Sequence, residues 1–184
     1  MDHEKIKKLT AELISAIGED PEREGLIDTP RRVSKSYDTL FGGYEKDPKD
    51  VVTVFDGEDY DEMIICKDID FYSTCEHHML PFFGKAYVGY LPDKKIIGIS
   101  KIPRIIEIYA RRMQNQERMT MQIAKAINDL LKPRGVGVVI KAQHLCMLAR
   151  GVERQNAVIT TSSFTDLFRS NPETRSEFLG LIKE

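Results

Sequence analysis

Two short stretches far apart in the chain, Cys75-Glu76-His77-His78 and His144-Leu145-Cys146, hold three of its four histidines and two of its three cysteines. A thiolate and an imidazole three residues apart can grip one soft-to-borderline cation from a single turn of chain, and a second thiolate from elsewhere makes three ligands. Any fold that satisfies this must bring residues 75 and 146 together. Cys-x-x-His alone is a weak pattern, and it is the second cluster that points to a shared metal. Three ligands leave one tetrahedral position free; a structural zinc site fills all four, whereas a catalytic site keeps one for water, whose pKa zinc lowers to roughly 7. His77 and His144 stand beside the candidate ligands Cys75, His78 and Cys146, and both can move protons near neutral pH.

The chain has 184 residues, 41% hydrophobic and 30% charged, which suits a globular protein with a substantial core. A net charge of -2 gives no general attraction to nucleic acid or membranes, so any polyanion site must be local. No apolar run approaches the ~20 residues of a membrane span, and Met1 to Lys5 lacks a signal peptide's apolar region. The expected location is cytoplasmic. Three cysteines, an odd number, suit free thiols in a reducing compartment. Cys66, after Met63-Ile64-Ile65, reads as a small buried apolar residue.

Ile6, Leu9, Leu13 and Ile17 mark one face of an amphipathic helix stopped by Gly18. A second helix starts at Thr29-Pro30 and closes at Gly42-Gly43. The stretch from Tyr44 to Tyr60 reads as a connector, giving a helical segment over 1–60 and a main domain over 61–184. Strands are predicted over Glu62 to Phe71 and Gly84 to Leu91, joined by the metal loop. Helices come next, one from Ser100 through Tyr109 and one from Met119 to Leu130, with a break at Gln114-Asn115-Gln116. Strands return over Gly135 to Met147 and Val152 to Thr161, and a short helix spans Pro172 to Ile182. Period two across 135–147 places His144 and Cys146 on one face. The fold class is α+β: a four-stranded antiparallel sheet with two helices on one face, preceded by N-terminal helices. Its open edges invite pairing with other subunits in a symmetric ring.

The stretch Cys75 to His78 with Leu80-Pro81, Gly98-Ile99-Ser100-Lys101, Gln114 to Arg118, and His144 to Met147 with Arg150-Gly151-Val152 together resemble GTP cyclohydrolase I of the zinc-dependent type. The resemblance runs in order from about Thr29 to the C-terminus. It implies conversion of GTP and water to 7,8-dihydroneopterin triphosphate and formate, the first step toward folate and related pterins. It implies one zinc per subunit on Cys75, His78 and Cys146, with water activated for attack on C8 of guanine and His77 and His144 carrying protons. Attack on C8 needs N7 protonated as the nucleophile arrives.

The same resemblance assigns the triphosphate to Arg32, Ser100, Lys101, Arg104 and Arg150. No Gly-x-x-x-x-Gly-Lys loop is present to hold it with backbone amides. Gln116 and Glu117 would read guanine, since a carboxylate accepts from N1–H and the exocyclic amine together. Glu76 either contacts substrate or solvates the metal loop. The resemblance also implies the tunnelling fold, assembled as a homodecamer of two pentameric rings with active sites between subunits.

Two other classes stay open. One is a nitrile reductase on the same fold, with a catalytic cysteine, NADPH and no zinc; metal content separates it. The other is a non-enzymatic zinc-stapled binding module, in which chelation unfolds the chain and His77 and His144 are dispensable.

Overall fold

In a computed structural model that describes residues 1–183, the chain runs α1 (His3–Ala16), α2 (Thr29–Leu40), two 3-10 turns (Gly42–Glu45 and Pro48–Val51), β1 (Val54–Asp56), β2 (Ile64–Cys75), β3 (Pro81–Leu91) and β4 (Lys95–Ile97). It continues through α3 (Lys101–Ala110), β5 (Met113–Gln114), α4 (Gln116–Leu131), β6 (Gly135–His144), α5 (Leu145–Leu148), β7 (Ile159–Phe164), α6 (Asp166–Ser170) and α7 (Pro172–Leu181). Two compact units emerge, Met1–Gly42 and Gly43–Glu184.

In the first unit, Asp2 caps α1 by accepting from the Lys5 amide at 3.0 Å. His3 Nδ1 meets the buried Ser34 hydroxyl of α2 at 2.9 Å. Leu9, Leu13 and Ile17 remain exposed, so this apolar face is not used within the unit.

In the second unit, β2, β3, β6 and β7 form the expected antiparallel ladder, but the sheet has five strands in the order β5-β2-β3-β6-β7. The fifth strand, β5, pairs in parallel with the end of β2, Thr74 with Met113 and Cys75 with Gln114. The break between α3 and α4 leaves backbone groups without helical partners, and the end of β2 satisfies them. The stretch predicted as a connector carries β1, which pairs with β4 in a separate two-stranded sheet.

Alternation decides which side chains enter the core. Val136, Val138, Ile140 and Ala142 of β6 pack with Phe71, Phe82, Ala86 and Val88 beneath Ile102, Ile105 and Ile106 of α3 and Met119, Ile123 and Ile127 of α4. The opposite face is also partly covered, contrary to the one-sided arrangement predicted: Tyr87 and Val139 pack with Phe168 of α6 and Phe178 of α7. Glycine makes room for those rings. A Cβ at Gly137 would stand 2.6 Å from Phe168, and one at Gly89 would stand 2.7 Å from Phe178. Among the described residues, no helix is long and apolar enough to cross a membrane.

Candidate functional site

Cys75 ends β2, and the chain turns back at once into β3. The turn is held by Cys75 N–H donating to Leu80 O and Met79 N–H donating to Cys75 O, both at 2.8 Å. Met79 adopts a left-handed backbone, φ 55°, a conformation costly to a side-chain-bearing residue that the closed turn imposes.

On the far side, β6 pairs with β3 so that His144 lies opposite Phe82. The strand ends there. Cys146 comes from the helical turn α5, not from an extended strand as period two suggested. Ligand atoms of Cys75, His78 and Cys146 all lie within 4.8 Å of one another, and no fourth such residue joins them among the described residues. Donors about 2.3 Å from a tetrahedral zinc sit roughly 3.8 Å apart, so closure on an ion needs adjustment of about 1 Å or less. Two sulfurs and an imidazole suit a soft-to-borderline cation, and the residues present fit zinc. Burial, and then the neighbouring Cys75 thiol, push the Cys146 thiol above its usual pKa, while Arg150's charge opposes them. A divalent cation reverses that preference in favour of thiolates.

His144 is half-buried and stacked on Phe82, centroids 4.6 Å apart and planes 1° from parallel. Burial draws its pKa below the usual histidine value, and the Glu117 charge acts the other way. Its Nε2 lies 2.7 Å from Oε1 of Gln116. Gln116, expected to read guanine, is only 1% exposed, and its Nε2 meets Ile140 O at 3.1 Å, Ile159 O at 3.0 Å and Thr161 Oγ1 at 3.0 Å. Its amide therefore has no hydrogen to spare. Glu117, one residue on in the first turn of α4, is exposed.

Asn115 caps α4 by accepting from the Arg118 amide at 2.8 Å, and its Nδ2 donates to Oε1 of Glu76 at 2.8 Å. Arg118 pairs with the other Glu76 oxygen while also donating to Gln114 Oε1 and Met113 O, each at 3.0 Å. These bonds, Arg118's first and Asn115's next, hold the Glu76 carboxyl below its usual pKa. Glu76 thus ties the metal loop to the start of α4. His77 is open, its side chain 66% exposed, with Nε2 3.8 Å from Glu76 Oε1.

Ser100 stands at the N-cap of α3 without a side-chain capping bond, followed by half-buried Lys101 and exposed Arg104 in the opening turns. Arg150 is exposed just beyond α5. Arg32 belongs to the N-terminal unit, its Nη2 3.5 Å from Asp28. Direct contacts thus join residues 75–78, 113–118, 144 and 161, and among the described residues of this unit Lys101, Arg104 and Arg150 stand outside that network. Phe82, Thr120 and Thr161 went unnoticed in the sequence; a hydroxyl four residues after Gln116 and a β-branched residue on β7 carry no distinguishing pattern.

A family model described as GTP cyclohydrolase I matches residues 6–183. GTP cyclohydrolase 1 of Chlorobaculum tepidum is 60% identical over 172 residues, 92% of this chain and 76% of that protein. The Leptospira biflexa protein of that name is 56% identical over 97% of this chain and 98% of its own, and that of Methylococcus capsulatus 54% identical over 98% of each. A solved structure, archaeosine synthase QueF-Like in the apo form, aligns with TM-score 0.47 and 14% identity over 56% of this chain and 92% of that chain, a likeness too weak to bear on either fold or function.

Proposed function

Since the chain belongs to the GTP cyclohydrolase I family and carries that family's activity at the start of pterin and folate biosynthesis, we propose that Cys75, His78 and Cys146 hold one zinc ion per subunit for it. The observation that carries the zinc assignment is the convergence of three ligand atoms to within 4.8 Å from segments far apart in sequence. When bound there, zinc supplies Lewis acidity and a hydrolytic nucleophile at neutral pH.

The chain's own side chains do the rest. GTP and water become 7,8-dihydroneopterin triphosphate and formate, so protons must reach N7 of the purine as C8 is attacked and must be redistributed as the ring opens. His77 and His144 are the groups we assign to those transfers, each beside the metal cluster. Glu117 accepts from N1–H and the exocyclic amine of guanine, which its exposed place at the start of α4 permits. Lys101 and Arg104 with Ser100, Arg150 and Arg32 bind the triphosphate; the first two lie near a helix N-terminus, where anions are favoured. Glu76, with both carboxylate oxygens engaged, is placed as a brace for the metal loop rather than a substrate contact. Gln116 takes a different part, set by its bonding.

We assign catalysis to residues 61–184 and propose the tunnelling fold, closed as a homodecamer of two pentameric rings with the site between subunits. Support for closure comes from the open sheet, whose end strands β5 and β7 leave edges that another copy can pair. The test is incubation with GTP while following formate release and pterin fluorescence, with and without a chelator. Activity that survives complete zinc removal would overturn the metal assignment. His144→Ala is expected to keep its zinc and lose most turnover; loss of zinc with it would make His144 a ligand.

A further inference from the structure

Gln116 is buried between β6, β7 and His144, the histidine beside the candidate metal ligands, and its hydrogen bonds have only one consistent set of directions. Its Nε2 faces the carbonyl oxygens of Ile140 and Ile159, at 3.1 and 3.0 Å, which can only accept. That end of the amide must therefore be the NH2. A closed ring of bonds fixes it a second way. Thr120 Oγ1 donates to the Gln116 carbonyl at 2.7 Å, so its single hydrogen is used. Thr161 Oγ1, 2.7 Å from Thr120 Oγ1, must then be the donor of that pair, and it accepts from Gln116 Nε2 at 3.0 Å. The circuit runs one way, from Gln116 amide to Thr161 to Thr120 to Gln116 backbone.

With the NH2 so placed, Oε1 is the end that faces His144 Nε2 at 2.7 Å. A carbonyl oxygen cannot donate, so Nε2 must carry the hydrogen. Neutral imidazole has one N–H, which leaves Nδ1 with a free lone pair. The Phe82 stack, 4.6 Å and parallel, holds the ring in its plane. A glutamate at 116 would have no hydrogen for the two carbonyls, and an apolar residue no acceptor for the imidazole.

We propose that Gln116 is a positioning residue: it holds His144 in the Nε2–H tautomer, making Nδ1 the atom that takes up and returns the proton during ring opening of GTP. This rests on the assignment of His144 to proton transfer above, and it removes Gln116 from guanine recognition. Thr161 and Thr120 belong to the same device, because their hydroxyls keep the amide from turning end for end.

The chain's four histidines allow a direct measurement. Solid-state 15N spectra of histidine-labelled protein, recorded above neutrality and assigned by difference with His144→Gln, are expected to show Nε2 protonated and Nδ1 bare at His144. In Gln116→Met the two tautomers should mix, with kcat down about 10- to 100-fold and KM for GTP within about 3-fold of wild type. Thr161→Val, which leaves both Gln116 and His144 in place, should lower kcat about 3- to 10-fold, and Thr161→Ser should restore it. If Gln116→Met fails to fold by circular dichroism, the wild-type spectrum and the Thr161 pair decide alone. A proton on Nδ1 in wild type would overturn the proposal, as would a Gln116→Met variant with raised KM and unchanged kcat, the pattern of a guanine contact. Absence of formate release by wild type is a separate failure: it removes the proton-transfer role but leaves the tautomer for the spectrum to decide.

Discussion

Gly84→Ala should be among the most damaging single-methyl changes in this chain. Gly84 lies on the central strand β3, opposite Ala142 of β6. A Cβ there would stand 1.9 Å from Lys141 O and 2.7 Å from the Ala142 Cα, where real Cβ contacts stay beyond 3.0 Å. The two strands must therefore part by at least 3.0 − 1.9 = 1.1 Å. Both obstructing atoms are backbone, so no rotamer change can relieve them. Adding 1.1 Å to a bond of roughly 2.9 Å breaks it, at about 1 kcal/mol each, beyond the ~1–3 kcal/mol usual for overpacking. We expect a loss of about 3 kcal/mol or more in urea unfolding followed by circular dichroism at one protein concentration. The next ladder pair toward the site on that face is Phe82 with His144, so turnover should fall as well. Gly180→Ala in α7 is the matched control: its Cβ meets nothing within 4 Å, and helix propensity predicts a gain of up to ~1 kcal/mol. A Gly84→Ala unfolding free energy within about 0.5 kcal/mol of wild type would refute the reasoning, since the two strands would then have yielded to the methyl at almost no cost.

Cys146→Ala should lose both bound zinc, read by metal analysis, and formate release, and full zinc content in that variant would end the three-ligand arrangement. Ser73 Oγ is buried without a partner, so Ser73→Ala should be neutral or stabilising by about 1 kcal/mol in urea unfolding; a clear loss would mean the hydroxyl is satisfied after all. Tyr90 is fully buried, its hydroxyl accepting from the Ile97 amide at 3.1 Å, and burial raises its pKa above 10.0. The unfolded chain then ionises first, so stability is intact below about pH 10 and is lost as pH rises toward the folded value. Tyr90→Phe should cost ~1–3 kcal/mol at pH 8 by orphaning that amide, and should show a shallower alkaline decline; an unchanged slope from pH 9 to 11 would contradict it.

Much of the main sheet was legible because alternation is a local property: Val136, Val138 and Ile140 give β6 from residue types alone. The turn after His144 was not. Leu145-Cys146-Met147-Leu148 is apolar throughout and satisfies either period, so only the surrounding fold decides that it coils. β5 is two residues long, and its pairing depends on where β2 happens to end, which no propensity records. β7 begins at Ile159 rather than Val152, the intervening stretch being turns despite its β-branched start. In the candidate site, the metal-ligating residue types announced themselves by chemistry and spacing. The part of Gln116 did not: the resemblance gave it to guanine, and only its neighbours show an amide that is buried and fully bonded.

The two imidazoles beside the metal cluster differ in their access to water. The His77 side chain stands two-thirds open to solvent, its only neighbour of opposite charge being Glu76 at 3.8 Å among the described residues. His144 is half-buried, with the Phe82 ring against one face and the Gln116 amide oxygen at Nε2. One ring is thus left to whatever approaches from outside, while the other has two of its approaches already taken by the fold.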